Sequence, residues 1–537
     1  MRRGEFLKTA LLGGCGVAAC KSGHEAERVI ALDAAALLGG FEASRVLQSG
    51  TALAMDTRKW GPELRGVVVT DVIDLGGDSV LSENVSVRDL RVETDATPGV
   101  SLELRTGSTY FRSPGSWSAW TPLNGAIQPS GRYAQIRLNL TGNDRNTPPE
   151  VRRLTLRCRA RELPEQGRVS VAADQVQRIV RSPIEFGYER PGQDDLAWMR
   201  RQFRLDDVVA GGKTEFEKLR ALMHWVATRR NVRPGPWEAR KEPFPWNIRQ
   251  VMSPDNGGTI FSHCMSYCEA MVTAATALGW HARHWALLGV RDTGHEVPEV
   301  WVDELGKWVF FDPSLDTYYA DAKTNVPLNL FEMHNLYLKA VLRPGEAQQR
   351  GRHVNEDRLR ALRGKHPVKC ITGNFCYGTS CAWDWEWDHG YMSAGWMQLT
   401  PRNDWHSKPE PRFQHFGEGA EGYSGFPLYV DPQTPLTDDV SLWLTRERDL
   451  WWTMNQASLR LTRSGAGALN VECGNSQPFF SRYLARLDGG SWMPVESQFK
   501  WRLKAGRNSL EVAPENESGK RGIESRVTVE FSPAGAA

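Results

Sequence analysis

SHCMSYCEAMVTAATALGWHAR, residues 262–283, places Cys264 and Cys268 four apart at the head of a run of small and apolar side chains. From Cys264 to Leu278 those residues occupy both faces of a helix, the pattern of a buried helix, and Gly279 stands where a left-handed C-terminal cap belongs. Two thiols so placed read as a metal pair, a disulfide, two core residues, or one nucleophile with a buried neighbour. The flanking sequence separates these readings.

Upstream, TEFEKLRALMHWVATRR, residues 214–230, opens with Thr214 and Glu217 in capping-box spacing, and its apolar residues recur at three and four. An irregular Pro- and Trp-rich segment containing Trp237, Trp246 and Gln250 follows. Downstream of the cysteines come two strand-like runs, HARHWALLGV (281–290) and PEVWVDELGKWVFFDPS (298–314), the latter a hairpin turning near Leu305 and Gly306. An even hairpin loop puts Val297 or Glu299 opposite Asp312, and His295 then projects from the same face as Asp312.

That order suits nucleophilic catalysis. A cysteine at a helix N-terminus meets the positive end of the helix dipole, and a neighbouring imidazolium also favours its thiolate. Cys264 meets the condition, whereas Cys268 lies a full turn inside a buried helix. His295 would move protons, Asp312 would orient it, and the Cys264 backbone N–H is a natural oxyanion donor. A zinc site from His263, Cys264, Cys268 and His281 or His284 has the ligand types but not the usual cysteine spacing. A Cys264–Cys268 disulfide is within Cα reach but strained, and would block catalysis. Two plain core cysteines would suit an isolated pair, and His295 with Asp312 tells against that.

Cys264 through Arg283, then HEVPEVW from His295, then WVFFDP ending at Pro313, resembles the core of the transglutaminase-like superfamily, the papain-like fold of transglutaminases, bacterial peptidases and peptide N-glycanases. In that family the nucleophile precedes the helix-ending glycine by fifteen residues and a tyrosine follows it by three, which selects Cys264 and Tyr267 against Gly279. Cys268 takes a position usually held by alanine, Ser262 one where glycine is common, and Val297 replaces the usual tryptophan. The His-x-x-x-Glu spacing is kept by His295 and Glu299. The resemblance covers roughly residues 214 to 315, and it implies a Cys264–His295–Asp312 triad needing no cofactor and no metal. Tyr267, Glu299, Trp237, Trp246 and Gln250 are further candidates for oxyanion or substrate contacts.

The rest of the chain frames this core. Its 537 residues, 40% hydrophobic and 24% charged, call for several folded units of ordinary globular composition. A net charge of +2 without a basic run argues against nucleic acid as a partner. Residues 1–20 read as an export signal, with twin arginines and a lipobox-like VAAC ending at Cys20, or a weaker one ending at Cys15. That predicts an exported protein, periplasmic or at the cell surface, held to the membrane by lipid on Cys20. Short alternating strands over 27–165 predict a jelly-roll-like β-sandwich, 166–210 a linker and helical lead-in, 211–325 the catalytic core, and 326–392 a helical and Trp/Cys-rich extension. Residues 393–537 predict a second sandwich, with an immunoglobulin-like form as one reading. A helix is expected over about 328–364, in which His334 is a structural histidine, and CITGNFCYGTSC (370–381) suggests a loop-tying disulfide. CAWDWEWDHGY alternates Trp383, Trp385 and Trp387 with acids and reads either as a glycan platform or as a core strand.

The expected protein is multidomain: an α+β transglutaminase-like core between two β-sandwiches, hydrolysing amide bonds in peptides, glycopeptides or cell-surface polymers. The alternatives are a glycan-directed enzyme on the same fold, acting on a polysaccharide or as a peptide N-glycanase-type amidase, and an inactive surface protein that binds carbohydrate.

Overall fold

The structure, a computed structural model, describes residues 25–57, 64–77, 80–82, 85–123, 125–162, 167–229, 248–252, 258, 260, 264–288, 294–341, 368–372, 396–408, 413–415, 421–423, 426–430, 442–465 and 467–533. The signal-like segment with Cys15 and Cys20, Trp237, Trp246, His263, Cys376, Cys381 and the Trp383–Trp385–Trp387 stretch lie outside these residues. The chain forms two units, one of residues 184–450 and one joining residues 1–183 to 451–537.

The 184–450 unit is built on a helix pair and a sheet. The helix Glu215–Thr228 starts where its capping box requires: Thr214 Oγ1 accepts the Glu217 N–H at 3.1 Å, and the Glu217 carboxylate accepts the Thr214 N–H at 3.3 Å. Glu304, in the hairpin turn, accepts the next two free helix donors, the N–H groups of Glu215 (3.2 Å) and Phe216 (2.9 Å). The turn and the helix start thus fix each other. Thr214→Ala should cost about 1 kcal/mol, read as a lower urea midpoint at unchanged slope, because Glu304 still serves the other donors.

The cysteine helix spans Cys264–Ala277, and Met265 through Ala275 are all buried, as a helix apolar all round must be. Gly279 closes it with φ +87°, a conformation open to glycine, while the Trp280 N–H reaches back to the Ala275 carbonyl at 2.9 Å. Its side chains join those of the Glu215–Thr228 helix and the hairpin residues Val300, Val302, Val309 and Phe311 in one cluster.

The sheet has six strands in the order Lys307–Phe310, Gly294–Val302, Ala282–Leu288, Trp396–Thr400, Pro427–Val430, Leu442–Leu444, antiparallel except for the last pair. The last three strands correct the expected boundary at residue 393, which placed them in the C-terminal sandwich. Met397, Gln398, Leu399 and Thr400 are all buried, so this strand is covered on both faces and belongs inside the core sheet. The tryptophan excess is absorbed here in part: Trp285, Trp301 and Trp308 are fully buried. The expected helix over 328–364 is described as Leu330–Val341. Asn329 caps it, accepting the Glu332 N–H at 2.8 Å while the Glu332 carboxylate accepts the Asn329 N–H at 2.9 Å. His334 is buried in it.

In the other unit, the N-terminal part holds a five-stranded and a six-stranded sheet. Leu154 and Leu156 of the first join Leu104, Ile136, Leu138 and Leu140 of the second in one apolar cluster. The C-terminal part again has two sheets around one cluster. One of them contains Arg168–Gln175, from the expected linker, paired along Ser525–Ser532. Alternating segments leave backbone donors and acceptors that a partner strand must satisfy, and this one finds its partner far along the chain.

Candidate active site

Cys264 is the first residue of its helix, half-buried and a free thiol. Cys268, one turn on, is also a free thiol but has no exposed surface. Burial, reinforced by Glu296, Cys264, Asp312 and Glu269 nearby, pushes the Cys268 thiol well above the usual cysteine range. Of the two, only Cys264 lies at the helix end and within reach of solvent.

His295 sits on the central hairpin, paired with Leu287 across the sheet. On its other side Glu299 pairs with Phe310, which brings Val297 level with Asp312, the register anticipated from the hairpin. His295 Nε2 meets Asp312 Oδ2 at 2.7 Å, with both side chains buried. That contact leaves Nδ1 unused by Asp312, and Cys264 lies close enough to act on the charge of the ring. Burial by itself would hold the imidazole neutral. The Asp312 carboxylate and Cys264 outweigh it, so His295 stays protonated well above the ordinary histidine range.

Asp312 is held in turn by the DPS turn that follows it. Its Oδ1 accepts the Ser314 hydroxyl (2.5 Å) and the N–H groups of Ser314 (3.0 Å) and Leu315 (3.2 Å), while its backbone bridges to Thr317. Ser314 was not singled out in the sequence, although Asp-Pro-Ser after a strand is a turn signal of this kind.

Two expected site residues have other tasks. Glu299 is fully buried against Arg283, accepting from its Nε (2.9 Å) and Nη2 (2.6 Å), from Trp285 Nε1 (2.7 Å) and from the Leu330 N–H (2.7 Å). Its carboxylate is fully engaged within the fold and does not face a substrate. Tyr267 is buried in the apolar cluster of the cysteine helix. Gln250 lies on the short helix Ile248–Val251. The sequence also gave no hint of a second buried histidine–carboxylate contact. Here His284 Nε2 meets Glu296 at 2.6 Å and its Nδ1 meets Thr400 Oγ1 at 2.8 Å, tying the strand before the hairpin to strands on both sides. Both ring nitrogens of His284 are therefore engaged, and among the described residues no group of three or more His, Cys, Asp or Glu could hold a metal ion.

The arrangement is a half-exposed thiol at a helix N-terminus, an imidazole beside it, and a buried, fully bonded carboxylate behind the imidazole. Such a chain of groups can activate a sulfur nucleophile and return a proton to a leaving group.

The model of the transglutaminase-like superfamily core matches residues 203–313, a span that contains all three residues. No curated protein matches the chain. Among solved structures, the red sea bream transglutaminase aligns over 87% of this chain and 94% of its own, at 9% identity and a TM-score of 0.20. A candidate protease of Parabacteroides distasonis aligns over 50% of this chain and 66% of its own, at 8% identity and a TM-score of 0.15. At scores this low the assignment rests on the family match. On that match, residues 203–313 belong to the transglutaminase-like superfamily.

Proposed function

We propose that the protein is a cysteine-dependent hydrolase of amide bonds, with Cys264 as nucleophile, His295 as proton carrier and Asp312 as the residue that orients and charges His295. The observation carrying this reading is a half-buried thiol at a helix N-terminus beside His295, whose Nε2 meets the buried Asp312 carboxylate at 2.7 Å. The Cys264 thiolate attacks the amide carbonyl carbon, and the Cys264 N–H at the helix start receives the developing oxyanion. His295 then protonates the departing amine as the C–N bond breaks, leaving a thioester. Water, deprotonated by His295, attacks the thioester, and the acid leaves with the thiol restored. A primary amine in place of water would give acyl transfer by the same steps. Peptides, glycopeptides and cell-surface polymers are the substrate classes to screen first.

The test is iodoacetamide labelling of the folded chain over a pH series, with peptide mapping, beside a His295→Ala variant. Fast labelling of Cys264 already at mildly acidic pH, slowed in the variant, with Cys268 unlabelled, is the expected result. Equal, slow labelling of both cysteines would overturn the assignment.

A further inference from the structure

We infer that the outward face of the six-stranded sheet in the N-terminal part of the chain is a binding site for an acidic, uronate-bearing sugar chain, recognised by Arg105, Arg137 and Trp120. Leu104, Ile136 and Leu138 point into the apolar cluster, so Arg105, Gln135 and Arg137 alternate onto the opposite face. Thr121 pairs with Leu104, which sets Trp120 level with Arg105. Both guanidinium groups lie against the Trp120 ring, at 4.3 Å for Arg105 and 4.2 Å for Arg137.

One such stack is a common structural device. Here the charges do not balance. Among the described residues the two stacked cations, Arg105 and Arg137, are served by one carboxylate, Glu103, and it bonds Arg137 (3.2 Å) and the Asn139 amide (3.1 Å) rather than Arg105. Arg105 has only a neutral acceptor among the described residues: its Nε and Nη2 both donate to Gln135 Oε1, at 3.1 and 2.6 Å. Gln135 is itself fixed by donating to the Thr70 carbonyl at 2.8 Å. Burial, then Arg112 and Arg137, push Arg105 down to about 10, the mark of a cation lacking its counter-charge.

The free N–H groups of a fixed guanidinium fork suit a carboxylate taken by two parallel hydrogen bonds. The half-buried Trp120 indole, held between the sheet and both guanidinium groups, adds apolar surface beside the fork against which a sugar ring can pack. Glu103 and the half-buried Asn139 amide supply the mixed acceptors and donors that hydroxyls need, and Glu103 would repel a continuous phosphate backbone. The site is independent of the catalytic proposal, so a Cys264→Ala chain should bind equally well.

Calorimetric titration of the full chain with an oligogalacturonate, a neutral oligogalactoside of equal length and polyglutamate tests the inference. The oligogalacturonate should bind in a salt-sensitive way, and the other two should not. Arg105→Gln should weaken it about ten-fold or more, and so should Arg137→Gln, the second stacked cation at a half-exposed strand position. Equal binding of the neutral sugar or of polyglutamate, unchanged affinity in folded Arg105→Gln and Arg137→Gln chains, or no binding at all would overturn it.

Discussion

Asp312→Asn should lower turnover of any amide substrate by about 10⁴-fold while leaving the fold intact, as loss of the orienting carboxylate does in related triads. The carboxamide can keep the bonds from Ser314 and Leu315 to one oxygen, so the turn survives. What changes is His295: the buried negative charge that keeps it protonated is gone, and burial then favours the neutral ring. Labelling of Cys264 should slow in parallel and shift to higher pH, which separates a loss of thiolate activation from a loss of substrate binding. Stability offers a second readout. Because folding raises the His295 pKa, the native state holds the proton more tightly than the unfolded chain does. That contribution is complete below the ordinary histidine range and is lost as pH rises toward the folded value. The wild type should therefore lose stability on the alkaline side of neutrality, and Asp312→Asn should flatten that decline in denaturant titrations run over the same pH series.

Glu299→Ala should destabilise the chain by about 3–5 kcal/mol, the usual cost of leaving a buried cation without its partner. Arg283 and Glu299 have no exposed side-chain surface, and the Trp285 indole N–H and the Leu330 N–H lose the same acceptor. The Arg283 bond to the Leu450 carbonyl at 2.7 Å brings no negative charge to replace the carboxylate of a guanidinium with no exposed surface. Removing both charges in an Arg283→Met, Glu299→Leu chain should cost much less than the single change, since no charge is then left unpaired. The denaturant midpoints of the two variants are the measurement. A single variant with a near-native midpoint would mean that water reaches Arg283.

The contrast between Asp312 and Glu299 shows how far the sequence could be read. Both are acids in the hairpin at plausible distances from His295. Period-two alternation and a two-strand register place Asp312 beside His295, because the constraint is local and the hairpin turn at Gly306 sets it. The capping box at Thr214, the helix from Cys264 and its stop at Gly279 were legible for the same reason. The expectation that Glu299 faces substrate fails because its partner, Arg283, lies directly opposite it on the neighbouring strand, a pairing whose register depends on the length of the connection between the two strands, which alternation within each strand does not fix. The strand Trp396–Thr400 was misplaced in a similar way. A short, fully buried run carries no alternation, so its sequence does not tell which sheet it enters.

The pairing of Arg168–Gln175 with Ser525–Ser532 has a consequence for how the chain is made. The unit of residues 184–450 is an insertion, finished while its host is still half-built. On the ribosome, residues 184–450 can close their core before the partner of Arg168–Gln175 exists, and that strand must wait through some 350 residues of synthesis with its edge unpaired. The same delay applies to Leu81–Ser82, whose neighbour in its sheet is Ala457–Arg463. A chain released early, short of Ser525, would carry Cys264, His295 and Asp312 in a finished unit on a host with an open sheet edge, so its faults would lie in aggregation and turnover by proteases.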